Sequence, residues 1–275
     1  MGAPVGIGLR APHYRALAAA PGAVDFLEAH SENHFGGGAA LAWLEAFRRD
    51  SPLSLHGVGL SLGGCDPLDE AHLDRLACLV DRVDPWLVSE HLAFGRIGGR
   101  HFHDLLPIPF TPEAVAHVAA RIQRVQERLG RPLLVENVSA YYAHPESSLA
   151  EAEFVAAVVE RAGCRLLLDV NNTWVNATNF RFDPRAYLAA LPAAAIDQIH
   201  LGGHARSGAL LVDTHSTRVC GEVWDLYRDA IGRFGPRPTL VEWDADLPAL
   251  EVLLDEAARA RAILESVSRP EPAPA

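Results

Sequence analysis

The chain has 275 residues and no lysine; all 24 of its basic residues are arginine. That absence excludes Schiff-base catalysis, a pyridoxal-phosphate lysine and a Walker-type phosphate loop. Cysteine is scarce: Cys65, Cys78, Cys164 and Cys220 are widely spaced and form no C-x-x-C pair. A disulfide scaffold and a cysteine-based zinc site are therefore excluded, and four free thiols, several of them buried, are expected. No apolar run reaches the roughly 18 residues that a membrane span needs, and no basic stretch leads into an apolar one at the N-terminus. A cytoplasmic globular protein is the expectation. Positive charge is also short, with 24 basic against 35 acidic residues and a net charge of -11. Such a balance argues against a binder of phosphate backbones, whose affinity rests on clustered cations.

What the chain does contain is a 49% hydrophobic share, enough for a sizeable core. Eight short apolar runs, at 5–9, 24–29, 53–56, 86–91, 133–136, 165–169, 196–201 and 239–243, have strand length. Several are too continuously apolar for a sheet with one wet face. Stretches of helical character lie between them. The clearest starts at Thr111 as N-cap, with Pro112 and Glu113 in the first turn. Val115, Val118, Ile122, Val125 and Leu129 then lay one apolar stripe, and Gly130 and Pro132 stop it. Further helices are expected at 39–50, 68–82, 150–162, 216–234 and 247–265. Strand followed by helix, eight times, predicts an α/β fold of one (β/α)8 barrel of the triosephosphate-isomerase type. Neither a fixed-period repeat nor a dividing linker is present, so one catalytic domain over 1–267 and a frayed tail over 268–275 are expected.

Barrels of this kind carry their chemistry at the C-terminal ends of the strands. Here those ends bear one type of residue: His56, Glu90 and His91, Glu136, Asp169 with Asn171 and Asn172, His200, and Glu242. Asp213 and His215 stand in a long loop after the seventh run. Ionisable groups that terminate apolar strands are costly to bury unless paired or metal-bound. Imidazole and carboxylate without thiolate suit iron, manganese or zinc. Nine candidates, His56, His91, Glu136, Asp169, Asn172, His200, Asp213, His215 and Glu242, exceed what one six-coordinate ion can use. Two or three ions sharing a bridging carboxylate are the expectation. Glu28, His30, Glu32 and His34 after the second run, together with Glu90, are candidates to support the ligands. His101 and His103 have no assigned role. His13, His72, His117 and His144 are expected at the surface or in caps, and the F-G-G-G stretch at 35–38 as a turn.

In their order, these motifs resemble the multinuclear non-haem iron-dependent oxidative enzymes, typified by the oxygenase that matures methanobactin. The resemblance spans roughly residues 5 to 265. It rests on G-I-G-L-R at 6–10, F-L-E-A-H-S-E-N at 26–33, L-H-G-V-G-L-S at 55–61, S-E-H-L at 89–92 and D-L-L-P at 104–107. It continues through L-V-E-N at 134–137, L-D-V-N-N at 168–172, I-H-L-G-G-H at 199–204, D-T-H at 213–215 and V-E-W at 241–243. Cys65 and the pair His101 and His103 do not map onto the family pattern.

The resemblance implies a triosephosphate-isomerase-type barrel whose nine candidates named above ligate two or three iron ions of mixed Fe(II)/Fe(III) state. It further implies oxidation of cysteine in a ribosomally made precursor peptide, with dioxygen as co-substrate and hydrogen taken from the cysteine β-carbon. Products in the family include oxazolone with thioamide, thiooxazole, and carbon excision. A leader-recognising second protein, forming a heterodimer, is also implied. Alternatives from the residues alone are a two-metal sugar isomerase or epimerase of the xylose-isomerase type, a zinc phosphoesterase, and a non-catalytic metal-dependent peptide scaffold.

Overall fold

A computed structural model describes residues 2–268 of the chain. Positions 269–275 of the expected tail lie outside the described residues. Position 268 does not begin a tail but ends the last helix.

In chain order the elements are β1 (Val5–Gly8), α1 (Tyr14–Ala19), β2 (Phe26–His30), α2 (Gly38–Asp50), β3 (Leu53–Gly57), α3 (Glu70–Val83) and β4 (Leu87–His91). A hairpin follows, β5 (Phe94–Ile97) with β6 (Arg100–Leu106), then α4 (Pro112–Leu129), β7 (Leu134–Glu136), α5 (Glu151–Ala162) and β8 (Arg165–Asp169). The chain continues through α6 (Val170–Phe180), α7 (Pro184–Ala190), β9 (Ile196–Leu201) and a second hairpin, β10 (His204–Ser207) with β11 (Leu210–Asp213). Helix α8 (Gly221–Phe234), β12 (Thr239–Val241) and α9 (Leu250–Ser268) complete it. Eight strands close a parallel barrel in the order β1-β12-β9-β8-β7-β4-β3-β2. Each falls within or beside one of the eight apolar runs, and the predicted (β/α)8 barrel is the observed fold.

Local chemistry sets the helix ends. Thr111 accepts from the Ala114 amide at 3.2 Å to start α4, and Gly130, at φ +64°, ends it. Of the apolar stripe in between, Val115, Val118, Ile122 and Val125 are buried against the barrel. Asp69 caps α3 through the His72 amide, so the helix opens at Glu70 rather than at 68. Similarly, α8 opens at Gly221, because 216–220 is spent returning the chain from the second hairpin to the barrel wall. The eightfold pattern called for a sixth connecting helix without fixing its bounds, and the chain places two there, α6 and α7. The first of them follows β8 without a loop, since the strand's last residue, Asp169, is itself the N-cap. All four cysteines are free, but only Cys164 is buried, not several. None of the described helices is long and apolar enough to cross a membrane.

Candidate metal centre

Parallel register puts the acids and imidazoles at one level. His30 pairs with His56 across β2 and β3, His91 with Glu136 across β4 and β7, and Asp169 with His200 across β8 and β9. Glu242 follows β12 directly. A cavity of about 400 Å³ opens over these strand ends, lined among others by His56, His91, Glu136, Asn172, Asp213, His215 and Glu242.

Two groups of donor atoms form within it. In the first, His56 Nε2 lies 3.2 Å from His91 Nε2 and 3.2 Å from Glu136 Oε2, and His91 Nε2 lies 3.4 Å from the same oxygen. The second joins Glu136, Asp169, His200 and Glu242, with all donor atoms within 4.8 Å of one another. Glu136 therefore belongs to both. The remaining candidates stand beside these groups. His215 Nε2 is 2.9 Å from Asp213 Oδ1 and 3.9 Å from Asp169 Oδ2, while Asn172 faces the same cavity. Asp213 is not in a loop, as expected, but ends β11, paired across the hairpin with His204.

The outward nitrogens of the imidazoles are fixed from behind. His91 Nδ1 donates to the Gly57 carbonyl at 2.9 Å. His56 Nδ1 meets the Ser89 hydroxyl at 2.7 Å, and that hydroxyl donates to the Leu55 carbonyl. When neutral, both rings therefore turn the Nε2 lone pair inward, the tautomer that metal ligation requires. His200 is oriented the other way round. Its Nε2 is 2.9 Å from Glu28 Oε1, and its Nδ1 is 3.1 Å from Glu242. His215 Nδ1 contacts Asp244 Oδ2 at 3.1 Å.

His215 itself holds a left-handed backbone, φ +42°, a conformation that costs about 1–3 kcal/mol in a non-glycine residue. Gly202 makes room for its ring, since a Cβ there would lie 2.3 Å from the imidazole. Gly202→Ala is accordingly expected to displace His215 and lower metal retention about tenfold or more, with the barrel's circular dichroism unchanged. Elemental analysis after dialysis checks this, and undiminished retention would contradict it.

Electrostatically the site is divided. Burial raises the Glu136 carboxyl to about 8 and that of Asp169 to about 7, against the pull of neighbouring histidines. Burial would also raise Glu28, but the His200 ring outweighs it and holds the acid down at about 2. Desolvation opposes charge on His91, yet Glu136 and Glu90 lift it to about 9. Burial and the neighbouring His91 push His56 well below the usual imidazole range. The cluster thus keeps protons to offset its own negative charge.

These residues fit a metal centre on two observations. Asp169 Oδ2 and Asn172 Oδ1 are buried without a hydrogen-bond partner, a costly state for polar atoms unless something else meets them. The 3.2–3.4 Å triangle of His56, His91 and Glu136 also has the edge length of donors about 2.1 Å from one ion, which stand about 3.0–3.4 Å apart. A third donor group, His30 with Glu242 and Asp244, differs, because a cation already occupies it. Arg10 reaches His30 Nε2 at 3.2 Å and Glu242 Oε1 at 3.4 Å, and it also bonds Asp244.

Arg10, Ser89, Asp244 and Gln198, whose amide donates to Glu28 at 2.7 Å beside His200, were missed as site residues. Arg10 lay within one of the quoted motifs, and Asp244 stands two residues beyond Glu242; either position was a usable signal. Of the proposed supports, Glu28, His30 and Glu90 touch the ligands. Glu32 instead bonds His72 and the Val58 amide, and His34 donates to the Ala40 carbonyl, so neither reaches the rings at the mouth. His13 and His72 are buried rather than at the surface, the former against the Pro248 carbonyl. His117 and His144 cap the Gly64 and Pro107 carbonyls as expected. His101 and His103 lie on β6, and His103 lines the metal cavity while entering neither donor group.

Comparison with known proteins is consistent with this geometry. A UPF0276 protein of Anaeromyxobacter sp. is 52% identical over 256 residues, covering 93% of this chain and 90% of its own. Another, from Chromobacterium violaceum, is 51% identical over 259 residues and 94% of each chain. Among solved structures, an L-ribulose 3-epimerase matches at a TM-score of 0.65 and 17% identity, over 96% of this chain and 95% of its own. Endonuclease IV from Thermus thermophilus matches at 0.61 and 18%, over 96% and 98%. At such identities these two establish the barrel alone. The profile described as RiPP precursor modification enzyme MbnB/TglH/ChrH matches residues 4–265. With its rim of histidines and acids and relatives at half identity, the chain belongs to the MbnB/TglH/ChrH family of precursor-peptide modification enzymes.

Proposed function

We propose that this protein is a dioxygen-dependent, multinuclear iron enzyme that oxidises a cysteine of a ribosomally made precursor peptide. The observation that carries the reading is the sharing of Glu136 between two adjoining donor groups, which would hold two ions close enough to act on one side chain. Bound there, iron would supply Lewis acidity toward a thiol and redox capacity toward dioxygen.

The chain's own residues do the rest. His56 and His91 with Glu136 would hold one ion, and Asp169, His200 and Glu242 with Glu136 the second. Asn172, Asp213 and His215 would serve a third position or replace departing water. Glu28 holds His200 in its ligating tautomer, and Asp244 does the same for His215. Arg10 neutralises the outer oxygen of Glu242, leaving the inner one for the ion. Phe102, His103 and Tyr141 flank the opening and would confine the peptide over the strand ends. A second protein reading the precursor's leader completes the proposed assembly.

Anaerobic purification with elemental analysis, followed by dioxygen uptake on addition of a cysteine-bearing peptide, tests the reading. Uptake that depends on iron and on the cysteine is expected, and His56→Ala should abolish it while keeping the fold. A sugar epimerase on the same barrel would turn over without oxygen. A scaffold would bind peptide and consume none. Either result, or normal uptake by metal-depleted protein, refutes the proposal.

A further inference from the structure

A second cavity is larger than the one that holds the acids. About 610 Å³ in volume, it opens between α5, α6, α7 and the 137–150 segment, and its walls are mainly apolar. Phe110, Val138, Phe154, Phe182 and Tyr187 are among the side chains that line it. That volume lies in the range of sites that take a ligand. Its one deep acid, Glu151, accepts from Tyr187 at 3.2 Å and from Asn176 at 3.1 Å. Burial raises that carboxyl to about 7, so near neutral pH much of the floor carries no charge.

A single extended strip of chain separates this cavity from the metal mouth, and its side chains alternate between the two. Ser139 and Tyr141 line the mouth, Ala140 and Tyr142 line the apolar cavity, and Val138 faces both. The strip is pinned on each side. Asn176 bonds the Ala140 amide at 2.8 Å and the Val138 carbonyl at 2.9 Å, while the Asp213 amide donates to the Tyr141 hydroxyl at 3.0 Å. Both openings are rimmed by apolar side chains that ordinary burial would cover. Val58, Phe102 and Tyr141 stand at the mouth, and Tyr142, 58% exposed, and Phe180 at the cavity. Exposed aromatic side chains grouped at the rims of two adjoining openings mark a place where something docks. Because it spans both openings, the occupant is one that bridges them, which a separate small molecule would not do.

We infer that this cavity is a subsite for one bulky apolar side chain of the precursor peptide, seated about three residues from the cysteine at the metal mouth. The spacing follows from an extended peptide crossing the thickness of one backbone strip. The inference rests on the function proposed above, since it needs a peptide whose cysteine enters the mouth.

Its test is a binding titration of metal-loaded protein with fluorescein-labelled nine-residue Gly/Ser peptides. Each has a central cysteine and a single Phe moved through the other positions. At one offset, or two neighbouring ones, Phe is expected to tighten binding about tenfold over glycine. Ala186→Trp, which places an indole in the cavity, should remove that gain. Tyr142→Ser, at an exposed position, should reduce it, and both variants should keep metal content and melting temperature. Equal affinity at all offsets, or a gain that survives Ala186→Trp in folded protein, overturns the subsite. So does calorimetry in which indole alone binds as tightly as the best peptide, since the cavity would then serve a free small molecule. A peptide with serine for cysteine separates the two readings. Loss of cysteine dependence alone counts against the metal–thiolate function, and loss of Phe dependence alone against the subsite.

Discussion

Glu136→Gln is expected to give a folded protein that keeps at most one metal ion per chain and loses more than about a hundredfold of its activity. The expectation follows from position. Glu136 is common to both donor groups, with Oε2 facing His56 and His91 and Oε1 lying 3.9 Å from His200 Nδ1. Glutamine keeps the shape but replaces one oxygen with an amide NH2 that donates hydrogen bonds and is a poor ligand. Stability should not suffer, because burial raises the Glu136 carboxyl and so already favours its uncharged form in the metal-free chain. Removing its charge also relieves repulsion from Asp169 and Glu242, and the metal-free melting temperature is expected to hold or rise by a few degrees. Elemental analysis, a melting curve and an activity assay read the three outcomes. Two ions retained at wild-type activity would remove Glu136 from the centre.

The metal-free chain is expected to be most stable near pH 5 and to lose roughly 10 °C in melting temperature by pH 9. Glu136 and Asp169 ordinarily titrate at 4.5 and 3.8 but are raised to about 8 and about 7 in the folded state. Between those limits the folded chain holds protons that the unfolded chain has lost, so stability falls as pH rises. Glu28 acts oppositely. Lowered from 4.5 to about 2, it stabilises above 4.5 and ceases to as pH falls toward 2, which sets the acid side of the maximum. Cations that replace these protons should reverse the alkaline slope, so the gain in melting temperature on metal loading grows with pH, and loading releases protons. Glu136→Gln should flatten the metal-free slope. A metal-free curve that rises from pH 5 to 9 would contradict this assignment of charge.

Much of this was legible in the sequence, for reasons that differ by element. A barrel strand buried on both faces has to be apolar throughout, so Leu166, Leu167 and Leu168 ending in Asp169 announce strand and site together. The α4 stripe was equally plain. Helix α6 was not, because V-N-N-T-W-V-N-A-T-N-F is rich in β-branched residues and asparagine, which are weak helix formers. Tertiary use overrides propensity there: Asn172 and Asn176 brace the 137–140 strip from the helix's inner side. The two hairpins were hidden for another reason. Their residues face solvent and one another, so His101 and His103 carry no burial pattern by which to place them. Arg10 and Asp244 were invisible as partners, being 234 positions apart and joined only by closure of the barrel.

That closure has a bearing on how the protein comes into being. Residues 5–7 are stitched to 239–241, and the second donor group ends with the acid at 242. A polypeptide still emerging from the ribosome therefore has no finished cage to offer an ion until nearly nine-tenths of its length has been made. An ion that needs both donor groups could be held only once that last strand is in place.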